Sequence, residues 1–582
     1  EATTISLKPA QMPNYKLLNE SNGTGVVSAH IVSVTHGRGQ MESSLLDKDS
    51  QSALGTVDKD FSSYYQVLDW DDGAEYVSAN KGLLFTLDDY YKMSYIAFAE
   101  PEDIASFGKV SVYYYDKEHP DGTYAQNVSV SQRTDSNGRK YYFVKLPQAI
   151  TANKIRLGFA RGYTLRNITI AEVNFYHYDS LEDDILALYG DDLHTTLKDG
   201  VTEETIDDLQ ERLDTPDAKS GEFHPERVTL QRELDNARGL LSSGLRDIIQ
   251  IHTGISAAKD SHLGFSGLNG WQPLGVTAYE GEQIVVYVGH EQLKTGSNSA
   301  LKLIATQYHA EAGSFASQVA TLKVGRNEIT IPSIQSLSCE GGGALYIQYT
   351  GNNENEKYAV RVSGGAKEPM LDLYGISDPQ ERKNRITAYV KELEEHVANQ
   401  ENLHAQIHET AGEGNKVNRA YDSQNCILGA TDIVLDKMML SVSAEKILAG
   451  LGSGSAEARS DQLEKSLSAM EEMMDFFYHH KGLSEDPAAP ATDRMPAQHL
   501  NIRYMRMFAG AFMYASGNHI GIEWDSVSGL SSCGSLTADD QGRYISGNYF
   551  GWGIAHEIGH NINQGSYAIA EVTNNYFAQL AQ

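Results

Sequence analysis

The spacing of apolar positions changes character three times along the chain. Up to about residue 180 it alternates. GLLFTLDDYYKMSYIAFA, KVSVYYYDKEHPDGTYAQNVSV, KYYFVKLP, NKIRLGFA and NITIAEVNFYHY are aromatic and β-branched runs set between Gly, Asp and Asn. Val110, Val112 and Tyr114 share one face of such a run, and Ile168, Ile170 and Val173 continue the pattern in another. Short alternating runs with turn residues between them predict a β-sandwich over residues 1–180.

At Leu181 the spacing becomes helical. LEDDILALYGDDL, TEETIDDLQERLDT and PERVTLQRELDNARGLLSSGLRDIIQIHTG carry apolar residues three and four apart behind acidic starts. They predict a helical connector over 181–255, with a helix N-terminus at Thr202 supported by Glu204 and Asp207. Residues 256–365 return to strand patterns (EQIVVYVG, ALKLIATQYH, ASQVATLKVGRNEITIP, GGGALYIQYT, KYAVRVSGG) and predict a second β-sandwich. From 366 to 582 long helical patterns dominate, so a mainly helical domain is expected there. The fold class is therefore multidomain α+β.

Composition changes this picture little. A chain of 582 residues is too long for one core and must form several domains. The net charge of −31 makes nucleic acid and anionic membranes poor partners. No apolar run is long enough to cross a bilayer. The start, EATTISLKPA, lacks the basic end and apolar stretch of a signal peptide, which leaves room for a leader removed earlier. Cys339, Cys426 and Cys533 lie far apart with no CxxC pair, so neither a disulfide framework nor a thiolate metal site is expected.

Candidate chemistry concentrates in GWGIAHEIGHNINQGSYAIAEV, residues 551–572. On a helix from about Ile554 to Ile562, His556 and His560 are one turn apart on one face and can share one metal ion. Glu557, one step round, suits a general base better than a ligand. Asn563-Gln564-Gly565 breaks the helix, and Ser566 is a natural start for a second one. Glu571 would then lie on a returning antiparallel helix. The pattern HExxHxxGxxH is absent, because Asn563 and Ser566 stand where Gly and His belong. No His follows His560, and Glu571 is the only acidic residue after Glu557. If this region alone binds zinc, Glu571 is the third ligand, and two His with one Glu leave a coordination position open for water. Two histidines on a buried helix can also be satisfied by hydrogen bonds alone. The pair His479-His480 reads as helix surface and core.

HEIGHN followed by AEVTNN resembles the M60 (enhancin-like) gluzincin peptidases, in particular bacterial members that cut mucin-type O-glycoproteins. His556, Glu557, Gly559, His560 and Glu571 fit that family's HExGH…E pattern. GLNGWQPLGVTAYEGEQIVVYVG, EGGGALYIQYT and SGNHIGIEWDSVSGL extend the resemblance over about 255–582. It implies a zincin-like catalytic domain with one catalytic Zn²⁺ and cleavage beside glycosylated Ser or Thr in O-glycosylated proteins such as mucins. A secreted or cell-surface bacterial protein, acting as a monomer, is the corresponding expectation. Trp552 is a candidate to stack on a sugar, or a core residue. Gly342 and Gly343 are candidates to let backbone approach a substrate strand, or part of a bulged turn. Asn574 and Asn575 are candidates to orient the ligands. The family's catalytic domain continues past its third ligand, so this chain is expected to be a fragment. Tyr576 is the one visible residue after Glu571 of the kind that steadies an oxyanion.

Residues 40–178 resemble a galactose-binding-like (discoidin, F5/8 type C) sandwich, chiefly through KVSVYYYD and NKIRLGFARGYTLRNITIAEVNFY. Carbohydrate binding and a structural Ca²⁺ are what that resemblance implies. Asp47 with Asp49, or Asp69 with Asp71 and Asp72, would supply oxygen ligands, or would simply be exposed loop carboxylates. Two other functions stay open: a zinc protease indifferent to glycans, and a glycan-binding adhesin or scaffold whose metal site does not work.

Overall fold

The computed structural model of the chain describes residues 31–36, 65–67, 83–100, 109–134, 140–160, 168–177, 180–216, 223–224, 226–242, 248–254, 263–265, 270–306, 316–332, 340–411, 420–424, 426–497, 499–505, 512–517, 519–533, 550–563, 569 and 571–581. The proposed calcium carboxylates Asp47, Asp49, Asp69, Asp71 and Asp72 lie outside them. The chain forms two compact units, residues 1–245 and 246–582.

The first unit is built on an antiparallel seven-stranded sheet. Its strands are β1 (Ile31–His36), β3 (Leu83–Ala99), β4 (Lys109–Tyr115), β5 (Thr123–Ala125), β6 (Ser129–Thr134), β7 (Lys140–Ala160) and β9 (Glu172–His177). A separate ribbon pairs β2 (Tyr65–Val67) with β8 (Ile168–Ile170). The register between β3 and β7 slips after Thr86 and again after Met93. Such bulges bend a sheet. Leu83 and Phe85 before the slips and Ile96 and Phe98 after them enter one core. Helix α1 (Leu181–Leu186) attaches through Glu182, which accepts hydrogen bonds from Tyr95 Oη and Lys145 Nζ, both at 2.5 Å. Helices α2 (Glu203–Asp214) and α3 (Arg227–Ser242) complete a small apolar cluster around Leu209, Leu230 and Leu234. Thr202 caps α2 as its sequence predicts, with Thr205 returning the bond.

In the second unit two antiparallel sheets face each other. One runs β10-β17-β12-β15, with β10 (Ile249–Ile251), β12 (Gln283–His290), β15 (Gly325–Thr330) and β17 (Tyr358–Ser363). The other runs β14-β13-β16-β11-β18, with β11 (Trp271–Tyr279), β13 (Asn298–Thr306), β14 (Ala316–Lys323), β16 (Gly342–Tyr349) and β18 (Ala366–Lys367). Val276, Val286, Leu303, Ile347 and Val360 meet between them. Strand β10 falls inside the stretch read as helical connector, yet it pairs with β17.

The region read as mainly helical contains a six-stranded mixed sheet. Its order is β19-β20-β21-β22-β24-β23, with β19 (Met370–Asp372), β20 (Ala430–Val434), β21 (Met438–Ser443), β22 (Leu500–Tyr504), β23 (Met513–Ala515) and β24 (Ile520–Ile522). Every residue of β20, β21, β22 and β24 is buried. A strand covered on both faces shows no alternation, and that is why the pattern missed these four. Helices α4 (Pro379–Ala411), α5 (Ala444–Gly450) and α6 (Ala456–His480) pack on this sheet through Val390, Ile447, Leu467 and Phe477. Its other side meets the sandwich at Trp271, Tyr346, Val434 and Met439. There Asp432 accepts from Tyr346 Oη at 2.8 Å and from Ser441 Oγ at 2.6 Å.

Candidate metal centre

Helix α7 (Gly551–Ile562) carries the HExxH pattern. Ile554, Ile558 and Ile562, each one turn apart, are buried in the unit's main core together with Ala555. That stripe fixes the rotation of the helix and turns His556 and His560 away from the core. The two rings lie edge-to-face with centroids 4.9 Å apart. Their side chains keep 17% and 24% of their exposure, enough for an ion or a substrate to reach them. Glu557 is buried, and one of its carboxylate oxygens lies within 4.8 Å of ring nitrogens of both histidines. Burial chiefly lifts its carboxyl above the ordinary value; His556 opposes this and Glu571 adds to it.

Glu571 reaches the same place, but not from a helix. It stands in a turn over 571–574, ahead of helix α8 (Asn575–Leu580). The second helix is expected from apolar positions at Ile569, Val572, Phe577 and Leu580, and the first two of these are largely exposed, at 62% and 60%. Their helical spacing does not mark a buried face, so nothing holds a helix that far back. Glu571 instead adopts φ +61°, a left-handed conformation uncommon for a residue with a Cβ. Its carboxylate oxygens lie 3.0 Å from His556 Nε2 and 3.1 Å from His560 Nε2. Gln564, Gly565 and Ser566 lie outside the described residues.

The two asparagines complete the geometry. Asn574 is the N-cap of α8, yet its side chain makes no cap bond. Its Nδ2 donates to His556 Nε2 at 3.0 Å and to His560 Nε2 at 2.9 Å, while its buried Oδ1 has no partner among the described residues. The amide thus sits between the two imidazoles where a shared cation would lie, and a cation entering must displace it. Asn575 Oδ1 accepts from His556 Nδ1 at 2.5 Å, and Asn575 Nδ2 donates to the Glu571 carbonyl at 2.8 Å. A proton kept on Nδ1 leaves the Nε2 lone pair available to a metal. Two imidazole nitrogens and a carboxylate converging at about 3 Å are a donor set that fits Zn²⁺.

Gly559 is the residue that allows this approach. A Cβ there would lie 2.5 Å from the Asn574 carbonyl oxygen and 3.0 Å from its Cα. The turn carrying Glu571 can close on α7 only because that side chain is missing.

Other predicted residues fall elsewhere. Trp552 lies in the first turn of α7, and its side chain lies outside the described residues. Gly342 and Gly343 are buried in β16, opposite Tyr279 and Ala278 of β11. A Cβ on Gly342 would lie 2.2 Å from the Ala278 carbonyl, so the close approach it allows is to its own neighbouring strand. His479 and His480 are both exposed at the end of α6, and neither is in the core. His480 Nε2 bonds the Tyr576 hydroxyl, a contact that local spacing does not reveal, since the two lie in separate helices. Local spacing does not mark segment 263–265 either. Gly264 N donates to the Asn561 carbonyl at 2.8 Å and ties this segment to the end of α7.

No protein-family model matches the chain. No curated protein matches it. Solved structures similar to it include the CBM32-1, CBM32-2 and M60 catalytic domains of Clostridium perfringens ZmpB, at 20% identity and TM-score 0.47, covering 98% of this chain and 53% of that one. The M60 catalytic domain of Clostridium perfringens ZmpC in complex with the sialyl T antigen is similar at 21% identity and TM-score 0.41, covering 58% and 56%. A metallopeptidase from Bacteroides thetaiotaomicron is similar at 16% identity and TM-score 0.42, covering 69% and 55%. The Clostridium neighbours are M60 metallopeptidase domains. The chain spans about half the length of these structures. Among the described residues no helix is long and apolar enough to cross a membrane.

Proposed function

We propose that the chain is the metal-binding part of a secreted zinc endopeptidase acting on O-glycosylated proteins of the mucin type. The observation that carries this is the convergence of His556 Nε2, His560 Nε2 and the Glu571 carboxylate at about 3 Å, with the Glu557 carboxylate beside them. A zinc ion held by His556, His560 and Glu571 would supply Lewis acidity and make water nucleophilic near neutral pH. Glu557 would take the proton of the attacking water and pass it to the leaving amine. Burial raises its pKa above the ordinary carboxylate value, the direction a general base needs. Asn575 would keep the His556 Nδ1 proton in place, and Asn574 would give up its position between the rings when the ion binds. The substrate class rests on the sequence resemblance of HEIGHN and AEVTNN.

Digestion of a mucin before and after enzymatic removal of its O-glycans tests the proposal. Cleavage of the intact mucin alone is expected. Equal cleavage of both would remove the glycan requirement, and cleavage of neither by zinc-loaded protein would remove the peptidase reading.

A further inference from the structure

A second set of metal donors lies in the interior of the second unit. Glu340 leads into β16, His404 stands in the second half of α4, and Cys426 precedes the short 3₁₀ turn Ile427–Gly429 that enters β20. Each is at most 3% exposed, and a donor atom of each lies within 4.8 Å of the other two. His404 Nε2 contacts one oxygen of Glu340, while the other accepts from Ile427 N at 3.2 Å. Two further polar groups are buried here without satisfaction. The Tyr279 hydroxyl, in the same small cluster as Cys426, has no hydrogen-bond partner among the described residues. Gln400, one turn before His404 on the same helix face, points toward Tyr421 without closing a bond of ordinary geometry.

We propose that Glu340, His404 and Cys426 bind a structural Zn²⁺ that clamps the β-sandwich, α4 and the mixed sheet together, with the Gln400 carbonyl or the Tyr279 hydroxyl as the fourth donor. Charge balance favours it. A divalent cation with one carboxylate, one thiolate and one neutral imidazole leaves no net charge in the interior, where an uncompensated charge is costly. A closed position that offers a fourth protein donor leaves no place for water, as a structural zinc site requires, and the thiolate and imidazole disfavour calcium and magnesium, which take oxygen ligands. Binding releases the Cys426 thiol proton to solvent, and the sulfur lone pair forms the new bond to the metal; nothing is oxidised or reduced. Because the thiol must lose its proton to bind, loading should depend on pH. The clamp joins segments that are far apart in sequence, which is where cross-linking constrains an unfolded chain most.

The test is spectroscopic and does not depend on peptidase activity. Metal-stripped protein is reconstituted with Co²⁺ and examined for the near-ultraviolet charge-transfer band that thiolate–cobalt bonds produce. A His₂Glu site contains no sulfur and gives no such band, so the experiment separates this site from the centre on α7. The band is expected in the natural sequence, in Cys339→Ser and in Cys533→Ser, and is expected to vanish in Cys426→Ser. Elemental analysis should give about two zinc ions per chain, falling to about one in either Cys426→Ser or His556→Ala. No band in the natural sequence would overturn the proposal, and that result needs no variant to fold. A band that survives in Cys426→Ser, or a single zinc lost entirely in His556→Ala, would overturn it too.

Discussion

The two metal-donor clusters of the second unit are built in opposite ways. The first takes its donors from sixteen consecutive residues, His556 to Glu571, and leaves them open to solvent, with Glu571 at 70% exposure. The second takes three donors from the approach to β16, from α4 and from the residue before a 3₁₀ turn, and buries each almost completely. A catalytic site has to admit water and substrate, so it tolerates exposure and forgoes the stabilisation that burial brings. A structural site has no such need. The difference predicts that damage to the first costs function and little stability, and that damage to the second costs stability first.

The largest effect should follow removal of a ligand at the exposed site. Glu571→Ala is expected to weaken zinc binding by on the order of a thousandfold, one ligand's share of a typical zinc binding energy. The stability of the metal-free protein should change by less than about 1 kcal/mol, because the carboxylate is exposed. Zinc titration and urea unfolding measure the two quantities, and a large loss of stability would break the contrast. His404→Ala makes the opposite prediction. It leaves Glu340 buried without its partner and should lower the unfolding free energy of the second unit by about 3–5 kcal/mol.

The interior should also respond to pH. His499 is buried, and burial chiefly depresses its pKa to about 4. Its folded value lies below its unfolded one, so the contribution is complete above about pH 6.5 and is lost as pH falls toward 4. The loss amounts to roughly 3 kcal/mol, since each pKa unit is worth about 1.4 kcal/mol. Unfolding at pH 7 and at pH 4.5 should show it, and His499→Gln should flatten the difference.

Smaller effects refine the exposed site. Asn575→Ala removes the acceptor of the His556 Nδ1 proton and is expected to weaken zinc binding 10–100-fold, about the usual cost of losing a partner behind a ligand. Gly559→Ala should act in the same direction by pushing the Glu571 turn off α7. If calorimetry finds zinc affinity unchanged in Gly559→Ala, the backbone approach is not what places Glu571.

The candidate residues of the exposed site were legible in the sequence, and the structure brings them together. The i, i+4 histidines, Glu557 between them and Glu571 by elimination all follow from spacing within one short segment. What spacing did not reveal was how Glu571 arrives. Ile569 and Val572 imitate a helical stripe, and only tertiary packing shows that they face solvent. The sheet beneath the site was hidden for the opposite reason, because strands such as Met438–Ser443 are buried on every face and lose the alternation that marks a strand. The Glu340, His404 and Cys426 cluster was beyond any local pattern. The cysteine spacing argued against a thiolate site, since it considers neighbours along the chain and not across it.

Under the proposed function, peptides would be hydrolysed at the α7 site, with Glu557 moving the proton. The most direct measurement is the hydrolysis rate of an O-glycosylated peptide by Glu557→Gln protein whose zinc content matches that of the natural sequence. A loss on the order of 10²–10⁴-fold at unchanged zinc content is expected. A rate equal to that of the natural protein would contradict it.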